Sequence, residues 1–450
     1  MATERVPPSA RRLMQSLRDL GYDLPSAIAD LVDNSIAARA TTVRIDVGFE
    51  GRDSWIRIAD NGTGMTSEVL KEAMRYGSQR DDYDEADLGK YGLGLKTASM
   101  SQCRVITVAS RHGTDGRISV RRWDLDAVIH RDEWDLERPR LDDCRSELVD
   151  PLKGHKGTVV LWERLDRVLD DYELPGGEAA ASGLKRSCRD IERHLAMVFH
   201  RFLSGQAKRS LPLRILLNEN PVDAWDPFCR EEKQTKELPS QTLALELGQT
   251  YRVRVEPYIL PNQSQFSDHA AFEAAGGPRK WNNQQGFYIY RADRMIQSGG
   301  WNRVRAADEH TKLARIAVLF GRGADEAFGI NVAKMRVSIP RELRVQFEQI
   351  AAEVIKKANA AYRQTDDEGR HRTAPAARGS ARGARPGSGG GRVAKLDARR
   401  DASVRLIRRI VRVLLNEVGG QPRLLRRLLL ALAKVDPVFA AELRASTKAS

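Results

Sequence analysis

Three short segments, met in this order, restrict the fold of this chain more than anything else in it: DLVDN at Asp30–Asn34, DNGTGM at Asp60–Met65 and GKYGLGLKTAS at Gly89–Ser99. The first lies within residues 10–40, where Leu13, Leu17, Leu20, Leu24, Ile28 and Leu31 recur at three- and four-residue steps. This spacing predicts a largely helical stretch, with Pro25 tolerated near a helix start. The second follows two alternating runs, Thr42–Val47 and Trp55–Ala59, which predict strands with one face on a core. The third is a glycine-rich loop running into good helix formers near Leu95. Two further strands, Cys103–Ala109 and Gly157–Trp162, are rich in β-branched residues. Together these elements predict an α+β sandwich, helices on one face of a mixed sheet, with the sheet ending near Asp170.

Each segment has a chemistry suited to a nucleotide. On a helix Asp30 and Asn34 share a face. An asparagine oxygen is a hard ligand suited to Mg2+, which keeps several waters and is otherwise held by phosphate oxygens. A carboxylate one turn earlier can orient and deprotonate a water attacking a γ-phosphate. Alone, DLVDN equally describes an ordinary polar helix face. Asn61-Gly62 and Gly64 let the backbone bend sharply and approach a ligand closely, while Asp60 can accept a hydrogen bond from an exocyclic amine such as adenine's. Alone, D-N-G is also a common hairpin turn. Gly89, Gly92 and Gly94 ahead of a helix offer backbone N–H groups to a phosphate chain. Their spacing is not that of a Walker A loop, and the context of a dinucleotide fold is missing. The charged stretch Gly77–Asp87 is expected to be a mobile lid.

At 450 residues with 41% apolar content, the chain exceeds one compact domain. Residues 1–175 are assigned to the nucleotide-binding domain. A second α+β domain is expected over 180–363: a helix around Cys188–Phe202, strands at Leu211–Leu217, Tyr251–Leu260 and Gly286–Tyr290, a helix leading to Pro340 and another from Glu342 to Tyr362. Residues 364–396 are Gly, Ala, Arg, Ser and Pro with few large apolar side chains, and read as a disordered linker. Beyond it, Val404, Ile407, Val411, Leu414 and Val418 repeat at helical spacing among arginines, so 397–450 reads as a basic helical hairpin broken at Gly419-Gly420. Residues 364–450 hold 19 Lys/Arg against 8 Asp/Glu, +11 of the net +13. No stretch approaches the roughly 20 apolar residues of a membrane span, and the start has no apolar run of the signal-peptide kind. Cys103, Cys144, Cys188 and Cys229 form no C-x-x-C pair and predict reduced thiols rather than a zinc site. The expectation is a soluble, cytoplasmic protein without a membrane partner.

The order of motifs resembles the GHKL superfamily of ATPases (gyrase, ATP-dependent chaperone, histidine kinase, MutL), which fold as a Bergerat α/β sandwich. The resemblance implies ATP and Mg2+ as cofactors. By position it implies that Asp30 stands where the family has its catalytic Glu and Asn34 where it has the Mg2+ ligand. Asp60 would meet the adenine amine, with Gly62, Gly64 and Met65 in the same turn. Gly89, Gly92, Leu93, Gly94 and Lys96 would fall in the lid and phosphate loop, and Thr158 in the later Gly-Thr that helps bind adenine.

GFYIYRADRMI (Gly286–Ile296), Gly300-Trp301 and INVAKMRVSIP (Ile330–Pro340) look like the Microrchidia (MORC)-type branch, where a transducer domain follows the ATPase. There a lysine reaches back to the γ-phosphate, which implies Lys334, with Arg336 as second choice. A histidine kinase would carry a phospho-accepting helix upstream, and a gyrase-type enzyme a cleavage domain; neither is expected. Two departures stand out: Asp30 is one methylene shorter than Glu, and Ala37 replaces a frequent Asp. The implied function is an ATP-driven clamp that closes as a homodimer. Its basic tail would contact either the DNA backbone or a protein partner. The alternative is a non-hydrolysing, ATP-gated switch.

Overall fold

The helical run over residues 10–40 is interrupted where Gly21 adopts φ +77° and the Asp23 carboxylate caps a new start, accepting from the Ser26 amide at 2.8 Å. The result is α1 (Ala10–Arg18) and α2 (Leu24–Ala37), with Pro25 in the first turn of α2, where its missing N–H is no loss. Ile28, Leu31 and Val32 of α2 are fully buried, each contributing roughly 1.5–3 kcal/mol. The computed structural model describes residues 3–372, apart from positions 5, 7, 20, 78–93, 115, 171, 209–210 and 331–336, with backbone alone for 361–372.

After α2 come β1 (Thr42–Gly48), β2 (Trp55–Asp60), α3 (Ser67–Ala73), α4 (Gly94–Met100), β3 (Val105–Arg111), β4 (Ser119–Asp124) and β5 (Gly157–Glu163). The four strands read from the sequence are present, although β3 begins two positions later than its β-branched run. Antiparallel register sets Asp60 of β2 opposite Thr158 of β5, and Thr158 opposite Ser110 of β3. Asp60, Thr158 and Ser110 therefore stand abreast on three neighbouring strands.

The first sheet does not end near Asp170. β6 (Arg214–Leu217) pairs in parallel with β1, and β7 (Asn220–Pro221) follows at the edge, giving the order β4-β3-β5-β2-β1-β6-β7. The helix expected around Cys188–Phe202 begins earlier, at Glu178–Val198, and packs against α2; its Ile191, Leu195 and Val198 share one apolar core with Ile28, Val43 and Ile215. Without β6, the long apolar β1 would be an open edge, which chains commonly cover. Nor is the second face of the sheet bare: Leu148 and Leu152 pack there on Ala59, Ala109, Val159 and Leu161.

The second sheet holds β8 (Lys236–Glu237), β9 (Gln241–Glu246), β10 (Thr250–Ile259), β11 (Gly286–Arg291), β12 (Arg294–Gln297) and β13 (Ala314–Phe320). Its order is β12-β11-β13-β10-β8, with β9 also on β10. Val255, Phe287, Ile289, Ile316 and Val318 form its core with Phe347, Ile350 and Val354 of the helix Arg344–Arg372. Where a helix leading to Pro340 was expected, ARIAVLF is a strand between two others, which is why it reads as a nearly continuous apolar run. The last helix runs through 364–372, the start of the expected linker, because turns already formed propagate at little further cost. The rest of that linker and the hairpin at 397–450 lie outside the described residues. Among the described residues no helix is long and apolar enough to cross a membrane.

Candidate functional site

Asp60 ends β2 with its carboxylate among neutral donors. Oδ1 accepts the Gly62 amide at 2.8 Å and Oδ2 the Ser35 hydroxyl at 3.1 Å. Burial pushes its pKa up to about 6, against the pull of these bonds and of the Thr158 amide. The turn beyond is tightly held. Asn61 Oδ1 accepts the Thr41 and Thr42 amides, each at 2.9 Å. Gly64 has φ +66°, and a β-carbon there would sit 1.9 Å from the Arg111 carbonyl oxygen, so only glycine fits. Ser110 Oγ accepts the Met65 amide at 2.8 Å, donates to the Gly157 carbonyl at 2.9 Å and lies 2.9 Å from the Thr158 hydroxyl. The expected adenine-side residues Asp60, Gly62, Gly64, Met65 and Thr158 are thus brought together. Ser35 and Ser110 were missed, although Ser35 follows Asn34 directly and Ser110 follows the run of β3.

Asp30 is buried on α2, and its Oδ2 accepts the Tyr22 hydroxyl at 2.8 Å. Burial and this neighbouring carboxylate drive the Tyr22 phenol well above its ordinary range. A β-carbon on Gly94 would lie 3.6 Å from Asp30 Oδ2, so α4 starts beside that carboxylate and the first and third motifs converge. Asn34, one turn on, is exposed.

Lys96 lies two positions beyond Gly94 on α4. It is buried, and its amine donates to the Ala73 carbonyl at 2.8 Å, at the end of α3. Its cost of desolvation lowers its pKa to about 8. Gly89, Gly92, Leu93, Lys334 and Arg336 lie outside the described residues. Among the described residues no group of three or more His, Cys, Asp or Glu is placed to hold a metal ion. The donor set suits Mg2+ nonetheless, because that ion needs only one or two protein oxygens when waters and phosphates supply the rest.

A cation from the second sheet reaches this helix. Arg294, the first residue of β12, sets its Nε 2.9 Å from Asp33 Oδ1 and 2.7 Å from Oδ2, while Nη2 lies 3.6 Å from Asp30 Oδ1. All three side chains are under 5% exposed, at 4%, 1% and 3%. Phe199 faces the guanidinium at 5.8 Å. Burial first, and Arg294 second, lower the pKa of His194 to about 4. Tyr22, Asp33 and Arg294 were not among the residues singled out from the sequence. Asp33 is inside DLVDN and Arg294 inside GFYIYRADRMI, yet no spacing rule connects positions so far apart.

Residues 22–158, from Tyr22 to Thr158, match the family model for the histidine kinase-, DNA gyrase B- and HSP90-like ATPases. Protein MICRORCHIDIA 4 of Arabidopsis thaliana is 34% identical over 331 residues, covering 60% of this chain and 39% of the relative. The chain carries a MORC-like GHKL ATPase domain. Further relatives are the ATPase morc-1 of Caenorhabditis elegans, 26% identical over 32% of the chain and 20% of the relative, and the DNA mismatch repair protein MutL of Staphylococcus carnosus, 28% identical over 31% and 19%. The chain spans at most 39% of the length of these three relatives.

Proposed function

We propose that this GHKL protein binds ATP with Mg2+, hydrolyses it, and uses the cycle to close a dimeric clamp on DNA. The observation that supports this most is the row Asp60, Thr158 and Ser110, where a half-buried carboxylate with neutral hydrogen-bond donors lies beside hydroxyls at the end of a strand. In this reading Asp60 accepts the adenine amine, and the glycines of the turn let the base approach closely. Gly89, Gly92, Leu93 and Gly94 would supply backbone N–H groups to the phosphates. Asp30, oriented by Tyr22, would take the proton of a water as its oxygen attacks the γ-phosphorus, while the bond from that phosphorus to the β–γ bridging oxygen breaks and ADP leaves with the electron pair. Asn34 is the protein ligand of Mg2+, which when bound offsets the charge of the phosphates. Lys334 reaches the γ-phosphate from the second domain. Lys96, which also ties α4 to α3 through the Ala73 carbonyl, stands with the glycines as a cation of the phosphate loop. Names that include a MutL repair protein and a morc-1 ATPase, with the basic stretch 364–450, favour DNA as the partner.

Steady-state ATP hydrolysis with and without duplex DNA, beside Asn34→Ala, tests this. Turnover stimulated by DNA and absent from the variant is expected. ATP binding without turnover in either condition would replace the enzyme by the nucleotide-gated switch, which the shorter Asp30 side chain favours.

A further inference from the structure

We infer that Arg294 is a positioning residue for turnover: one guanidinium, delivered by the second sheet, orients Asp30 through Asp33 and couples the two sheets to the nucleotide site. The inference rests on the reading of Asp30 as the group that accepts the water's proton.

Two carboxylates three positions apart on one buried helix face repel each other and lack solvation. A forked guanidinium can serve both, because its donors point in fixed, separate directions; a lysine is a point charge and can serve one. The distances divide the task. Asp33 is gripped at 2.7 and 2.9 Å and is the anchor, whereas Asp30 at 3.6 Å is steered by charge and by the Tyr22 hydroxyl at 2.8 Å.

The same hairpin is fastened on its other side. The turn residues Ala292 and Asp293 have φ of 47° and 68°, a left-handed pair that makes the turn tight. Asp293 pairs with Arg201 at 3.0 Å. Arg291, just before the turn, pairs with Asp325 at 2.7 Å, both buried. The Asp325 carbonyl in turn accepts the Ile330 amide at 3.1 Å, where the chain enters residues 331–336 and hence Lys334. One hairpin thus ties α2, with Asp30, to the segment that leads into Lys334.

The test uses the full chain with Arg294→Lys and Asp33→Asn, measuring kcat, KM, nucleotide affinity and the pH profile. In each variant kcat should fall about tenfold or more while affinity stays within about twofold, since misplacing a reacting group costs rate rather than binding. In Arg294→Lys the pH profile of kcat should change, because a point charge no longer bridges Asp33 and Asp30. Among the described residues, the groups facing Asp30 include Tyr22 before α2, Asp33 on α2 and Arg294 from β12, with His194 sensing Arg294 from the helix Glu178–Val198. The double variant should be no worse than the poorer single one. Wild-type kcat in either variant overturns the inference, as does an additive fall of kcat and affinity with an unmoved pH profile. If Arg294→Lys does not fold, Asp33→Asn alone decides. Wild-type protein without turnover overturns the parent reading, and this inference with it, before any Arg294 variant is measured.

Discussion

The Asp60 turn and the Asp30–Asp33 face of α2 bury carboxylates in opposite ways. Burial raises the pKa of Asp60 to about 6, because the hydroxyl and amide donors that hold it offset only part of that cost. Asp30 and Asp33 share a buried guanidinium brought from the other sheet. Neutral donors leave an acid ready to meet a ligand's own donor. A buried cation instead makes the acid depend on the docking of two sheets, so a change at one is felt at the other.

Breaking the charged arrangement should have the largest effect. Arg294→Leu leaves two buried acids without their cation and should lose about 3–5 kcal/mol of stability in urea unfolding. A loss below about 1 kcal/mol would mean that the acids find water, and the contrast with Asp60 would vanish. The backbone of the turn comes next. Gly64→Ala, with its methyl forced onto the Arg111 carbonyl, should lose at least about 2 kcal/mol, whereas Gly77→Ala, at φ +72° in open space, should lose only about 1 kcal/mol.

Asp60→Asn sharpens the comparison by separating function from stability. ATP affinity should fall about tenfold or more for loss of a charged acceptor, yet the variant should melt no lower than wild type at pH 8. The sign follows from the raised pKa. Stability linked to protonated Asp60 is fully present below the unfolded carboxylate range and is lost as pH rises through about 6, so the asparagine is favoured above it. Wild-type ATP affinity should accordingly weaken as pH falls through 6, and that of Asp60→Asn should not. The smallest effect is expected from Ser35→Ala, which removes one donor to Asp60 and should reduce stability by about 1 kcal/mol in the same urea assay.

Local pattern was informative wherever a local rule applied. Alternation found β1 and β2, β-branched runs found β3 and β5, and the glycines of DNGTGM marked a turn where Gly64 is obligatory. Pattern also misled in traceable ways. ARIAVLF was not read as a strand, because a strand buried on both faces shows no alternation. The boundary near Asp170 failed because β6 pairs with β1 across a long connection.

By itself the sequence determined an Asp30–Asn34 helix, a D-N-G turn and a glycine-opened helix, because capping, turn and periodicity rules act over a few residues; that the three share one nucleotide-binding sandwich is what their resemblance to the GHKL ATPases implied. Only the tertiary structure decided that Asp60, Thr158 and Ser110 stand in one row, that the first sheet borrows β6 from beyond its expected end, and that Arg294 answers Asp30 and Asp33. Register and the pairing of buried charges are long-range conditions. They are set by which apolar faces close on each other and which ions must then be neutralised, and no short stretch of chain contains both partners.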